Sequence, residues 1–225
     1  MHYIASYCNI FGYKADQKYS EKCVEYFAFY LQQLRKYDIH QFTQIDIIAH
    51  SMGNHILIKT ILHCLSNNEL NLFKECNIIC VAADADKDEY HLAIKCLIQS
   101  KIIKKWFHYW NNMDYALLLS NVANKKIFGR AGQGPIDDDI NDDRVESIKW
   151  TKNAIKNGHS YINNIFDTDD DSKTNVSILE KLGVQNDIDH DEQKLNKVSS
   201  IISELCNVYL FVTFMTSVLL DTKQI

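Results

Sequence analysis

One proline and seven glycines in 225 residues leave few marked turns. That scarcity argues against a collagen-like or disordered low-complexity chain. The sequence also lacks an excess of basic charge: 24 Lys and Arg stand against 29 Asp and Glu, a net charge of -5. With no basic stripe and no nucleic-acid reading motif, no nucleic-acid partner is expected. Seven cysteines are present, an odd number, and none stands in a CxxC pair. A disulfide framework is therefore not indicated, and a reduced, cytoplasmic compartment is the simpler expectation. No charged-then-apolar leader opens the chain. Hydrophobic content of 46% and charged content of 24% fit a globular protein with one sizeable core.

What is present is concentrated first in residues 45–55, Ile-Asp-Ile-Ile-Ala-His-Ser-Met-Gly-Asn-His. A short β-branched run stops in small-x-Ser-x-Gly, and a helical pattern follows at once. This is the form of a nucleophile elbow, a strained strand-to-helix turn that exposes a serine oxygen. Its flanks are expected to be small, and Ala49 and Gly53 stand two residues either side of Ser51.

The periodicity predicts helices over 17–37, 53–65, 88–100 and 114–122, and strands over 45–49, 77–83, 105–110 and 145–151. Residues 3–8 read as a further short strand. In the helix over 53–65, Leu57, Ile61, Leu62 and Leu65 form the expected inner face. Residues 125–143 read as a loop. Alternation of strand and helix predicts βαβ units, hence an α/β fold with a parallel sheet. Ligands of such sheets sit at the carboxyl ends of the strands. Ser51, Asp84, Asp114 and His159 all fall just past predicted strand ends.

Acyl transfer at a serine needs a base, an acid that orients the base, and N–H donors for the oxyanion. The order Ser, acid, His is met by Ser51, Asp114 and His159. Asp84 is the alternative acid, with Asp86 behind it, because an orienting carboxylate and a helix cap look alike in sequence. His190 competes with His159 for the base. His50 reads as a packed or wall-forming residue. The backbone N–H of Met52 is the expected oxyanion donor. Metal readings fail: Asp84, Asp86 and Asp88 begin like a calcium loop, but Glu89 and Lys95 occupy its sixth and twelfth positions. No metal and no cofactor is expected.

Four landmarks in order resemble an uncharacterised esterase/lipase-like family of α/β-hydrolases. They are Ala49 to Asn54, then 81–86 (Val-Ala-Ala-Asp-Ala-Asp), then 112–117 with Ser120 and 129–132, then 158–161 (Gly-His-Ser-Tyr). Gly12-Tyr13, with Asp16 and Ser20, is similar to that family's lead into the helix before the elbow. The resemblance spans roughly residues 10–165. It implies a three-layer αβα hydrolase core, the triad Ser51, Asp114 and His159, and an acyl-enzyme route on a small-molecule or lipid ester. It also implies earlier strands and a His-Gly loop, so the chain reads as lacking an N-terminal third. The organisation expected is a partial hydrolase-like domain over 1–166, a polar acidic linker over 167–200 with a short helix near 176–182, and an apolar segment over 201–225. Residues 201–220 just reach the length of a membrane span, but Glu204 and Asn207 weaken that reading and favour a buried terminal helix or strand covering the incomplete sheet. A second reading follows from these features: an inactive or fragmentary interaction domain, held to a membrane by 201–220.

Overall fold

The computed structural model describes residues 10–37, 45–126, 129–150 and 159. The expectations for 3–8, the 167–200 linker, His190 and 201–225 lie outside those residues. In chain order the elements are α1 (Ile10–Tyr37), β1 (Asp46–His50), α2 (Met52–Ser66), β2 (Asn77–Val81), α3 (Lys87–Gln99), β3 (Lys105–Trp110), α4 (Tyr115–Ala123) and β4 (Val145–Lys149).

The four strands form one parallel sheet in the order β1-β2-β3-β4. Parallel neighbours need a crossover, and α2, α3 and α4 supply the three. β2 is buried at all five positions, as a continuous apolar run in a parallel sheet should be. Residues alternate between its faces. Ile78 and Cys80, with Ile47, Ala49 and Trp106, join one core with Leu57, Ile58 and Ile61 of α2 and Tyr90, Ala93, Ile94 and Leu97 of α3. The opposite face is covered too: Ile79 and Val81 are fully buried, and Phe107 and Tyr109 nearly so. Burying each such side chain stabilises the fold by about 1.5–3 kcal/mol.

Every helix and strand expected within the described residues is present, with ends shifted by a few residues. The largest change is α1, which begins at Ile10, so Gly12, Tyr13 and Asp16 lie inside the helix rather than ahead of it. A tertiary contact accounts for the early start: the Tyr13 hydroxyl donates to Asp84 Oδ2 at 2.8 Å and pins the first turns. On α2 Asn54, His55, Ile56, Leu57, Ile58, Thr60, Ile61 and Cys64 are buried, Leu62 packs half-buried against the core, and Leu65 is exposed. Cys64 completes the stripe at i+3 from Ile61, and Leu65 stands about 100° further round.

A buried polar chain crosses the core. Trp106 Nε1 donates to the Tyr90 hydroxyl at 3.1 Å, Tyr90 lies 2.8 Å from His108 Nδ1, and His108 Nε2 lies 2.9 Å from the Gly134 carbonyl. A carbonyl only accepts, so Nε2 carries the proton and Nδ1 accepts from Tyr90. Loss of hydration pushes the His108 pKa down to about 4. The five described cysteines are free thiols, and burial pushes Cys76 and Cys80 up to about 12. None of the described helices is long and apolar enough to cross a membrane.

Candidate active site

β1 ends at His50 and α2 begins at Met52, so the whole reversal falls on Ser51. Its backbone adopts φ 54° and ψ -124°, outside the wells open to an L-residue with a Cβ. Holding such a conformation costs on the order of 1–3 kcal/mol. The surroundings over-determine it. Ser51 N–H donates to the Val81 carbonyl at 3.1 Å, and the Ser51 carbonyl accepts from Asp84 N–H at 3.2 Å and Asn54 N–H at 3.0 Å. The Asn54 side chain, fully buried, directs Nδ2 at the carbonyls of Ala49 (3.1 Å), Val81 (3.0 Å) and Ser51 (3.3 Å). Asn54 was legible only as the last letter of the Ala-His-Ser-Met-Gly-Asn string; its part in tying the turn together was not.

A serine at a helix N-cap ordinarily spends its hydroxyl on a backbone N–H. Ser51 makes no such bond. Its Oγ lies 2.5 Å from His159 Nε2 instead. On the other side of the ring, His159 Nδ1 lies 2.8 Å and 3.0 Å from the two Asp114 oxygens. A carboxylate accepts, so Nδ1 carries the proton and Nε2 is left to accept from Ser51. Asp114 is fully buried and also caps α4, its Oδ1 accepting from Ala116 N–H (3.0 Å) and Leu117 N–H (3.2 Å). The cap and the carboxylate facing His159 are thus one residue, which is why sequence alone could not separate them. Met52 is the first residue of α2, so its N–H has no intrahelical acceptor and lies beside the serine.

The alternative acids stand elsewhere. Asp84 is buried in its own cluster: Tyr13 at 2.8 Å, Ser120 Oγ at 2.5 Å, and Arg130 Nε at 3.2 Å as an ion pair. Burial and the Asp84 charge push Tyr13 up to about 12, so it remains a phenol that donates. Asp86 caps α3 through Asp88 N–H and Glu89 N–H and pairs with Lys126. Gly53, expected to be small of necessity, has open space: a Cβ there meets nothing within 4 Å. Among the described glycines it is Gly132 where a Cβ would meet backbone: it would run into the Ala83 main-chain nitrogen and stand 2.8 Å from Leu117 Cδ1. Among the described residues no group of His, Cys, Asp and Glu could hold a metal ion.

A family model described as an alpha/beta hydrolase of unknown function (DUF900) matches residues 5–169. The chain belongs to this family. The match takes in the elbow, both Asp84 and Asp114, and His159. No curated protein and no solved structure matches the chain. Membership in this hydrolase family accounts for the parallel sheet with its polar residues gathered at the strand ends; the family description names no substrate. A fold of this kind hosts many chemistries, so the reaction has to be argued from the site.

Proposed function

We propose that this DUF900 member is a serine hydrolase acting on a small-molecule or lipid ester through an acyl-enzyme. The observation that carries the reading is the unbroken line from Ser51 Oγ through His159 to Asp114 at hydrogen-bond distances. Supporting it, the serine is held in a costly backbone conformation that leaves its hydroxyl uncapped. In this reading Ser51 Oγ attacks the ester carbonyl while His159 Nε2 takes its proton. Asp114 keeps the ring in the Nδ1–H tautomer and stabilises the imidazolium that forms. The carbonyl oxygen, now negative, is met by the Met52 N–H. Collapse of the tetrahedral intermediate expels the alcohol, which leaves with the proton from His159. Water then enters by the same base and releases the acid and free Ser51. Met113 and Tyr115, exposed on either side of Asp114, favour an ester with hydrocarbon on it.

The test is a fluorophosphonate probe, whose phosphorus accepts the serine oxygen as an acyl carbon would. Stoichiometric labelling of Ser51, lost in Ser51→Ala, is the expected result. Folded protein that does not label would overturn the enzyme reading and favour a non-catalytic interaction domain.

A further inference from the structure

His50 is the last residue of β1 and sits one position before the nucleophile. Strand alternation turns its side chain away from the face that α2 covers, since Ala49 belongs to that core. Its Nε2 lies 3.0 Å from the main-chain carbonyl of His159. The acceptor is a carbonyl, so Nε2 carries the proton. The two imidazole rings are 5.0 Å apart and tilted by 42°. His159 is therefore held at three points. Asp114 and Ser51 engage its ring, and His50 engages the backbone from which that ring hangs.

We propose that His50 is a positioning residue for the base: its Nε2–H bond to the His159 carbonyl sets the main chain so that one imidazole reaches both Ser51 and Asp114. This rests on the proposed Ser51–His159–Asp114 relay. The chain segment bearing His159 and the strand-end turn bearing Ser51 are 108 residues apart, and the His50 bond ties them one residue from the nucleophile. A loop misplaced by 1 Å can cost a reaction about 100-fold, so a direct tie at this point has a purpose that filling space does not. Charge fits the same role. Among the described residues the titratable groups that face His50 are His159 and Asp114, and loss of hydration together with His159 pushes the His50 pKa down to about 4. At neutral pH His50 is uncharged, so it does not oppose the imidazolium that His159 becomes.

Two variants separate a tie from a filler. His50→Phe keeps a ring and removes the donor; His50→Gln offers an amide N–H at similar reach. The substrate is a short-chain p-nitrophenyl ester, with kcat, KM and the rate of fluorophosphonate labelling read on the full chain. Loss of one such bond predicts that His50→Phe lowers kcat and the labelling rate by about tenfold while KM stays within about twofold. His50→Gln should recover to within about threefold of the wild type. Full activity in His50→Phe, or equal loss in both variants, overturns the inference. If His50→Phe fails to fold, His50→Met serves as the donor-free variant. A wild type that neither turns over nor labels is the failure of the enzyme reading, and is distinguished by a second readout. Nitrogen-15 shifts of the His159 ring should move towards a mobile imidazole in the donor-free variant. Unchanged shifts there overturn the positioning role whether or not the protein is active.

Discussion

Replacing Ser51 with glycine should make the protein more stable than replacing it with alanine. Both changes remove the hydroxyl and its 2.5 Å contact with His159. They differ at the backbone. The alanine variant would keep a Cβ at φ 54° and ψ -124°, and a residue so placed stores on the order of 1–3 kcal/mol. Glycine releases that strain but adds about 0.5–1 kcal/mol of unfolded-chain entropy. The difference leaves glycine ahead by roughly 1 kcal/mol, which for a chain of this size is about 2–4 °C in Tm. Urea unfolding followed by far-UV circular dichroism, with thermal melts beside it, reads the difference directly. The main-chain bonds of the turn, from Ser51 to Val81, Asp84 and Asn54, are common to both variants and cancel. If Ser51→Gly is equal to or less stable than Ser51→Ala, the turn is not strained and its geometry is no evidence for a built nucleophile position.

Three further outcomes are expected. Gly132→Ala should lower stability by about 1–3 kcal/mol in urea melts, because its Cβ would crowd the Ala83 backbone and the Leu117 side chain; a neutral change would refute the close approach. Stability should fall as pH drops from 7 towards 4. His108, with a folded pKa of about 4 against about 6.5 unfolded, is stabilising above pH 6.5, and the unfolded chain binds the extra proton below it. Its share is roughly 3 kcal/mol, lost across that window; His108→Leu should flatten the slope of urea midpoint against pH, and an unchanged slope would refute the assignment. Asp114→Asn should lower kcat by roughly 10⁴-fold, the scale seen for an orienting carboxylate in serine proteases, whereas Asp84→Asn should act first on unfolding midpoint. The reverse pattern, with activity lost from Asp84→Asn at native stability, would move the acid to Asp84.

The elements that could be read from sequence were those with local causes. The β-branched run at residues 45–49 and the apolar stripes of α2 and α3 follow from side-chain period alone. Ser51 was legible because small residues and a following helix surround it. Asp84 and Asp114 were not separable, since each is an aspartate just past a strand, and only the folded chain places His159 against one of them. His50 was read only as a packed or wall-forming residue and Asn54 only as part of the elbow string, because their partners are main-chain carbonyls, which every residue has. Gly132 was read as a loop residue and as the end of the 129–132 landmark; its need for a bare Cα comes from Ala83 and Leu117, both distant in sequence.

The placement of polar groups around the elbow divides into two sets with different physical demands. Ser51, His159 and Asp114 form a line of two hydrogen bonds, the Ser51 hydroxyl to His159 Nε2 and His159 Nδ1–H to Asp114, so a proton taken by His159 is balanced by the Asp114 carboxylate without leaving the ring. Asp84, Tyr13, Ser120 and Arg130 form a second cluster that, among the described residues, shares no hydrogen bond with His159. Its link to Ser51 is mechanical: Asp84 N–H holds the Ser51 carbonyl, and the Asp84 carboxylate is itself held from α1, α4 and the loop bearing Arg130. Removing one partner of such a buried ion pair costs about 3–5 kcal/mol because the other charge is left unpaired. The Asp84 N–H bond is one of three main-chain bonds that hold the strained Ser51 turn, and the second cluster fixes the residue that supplies it.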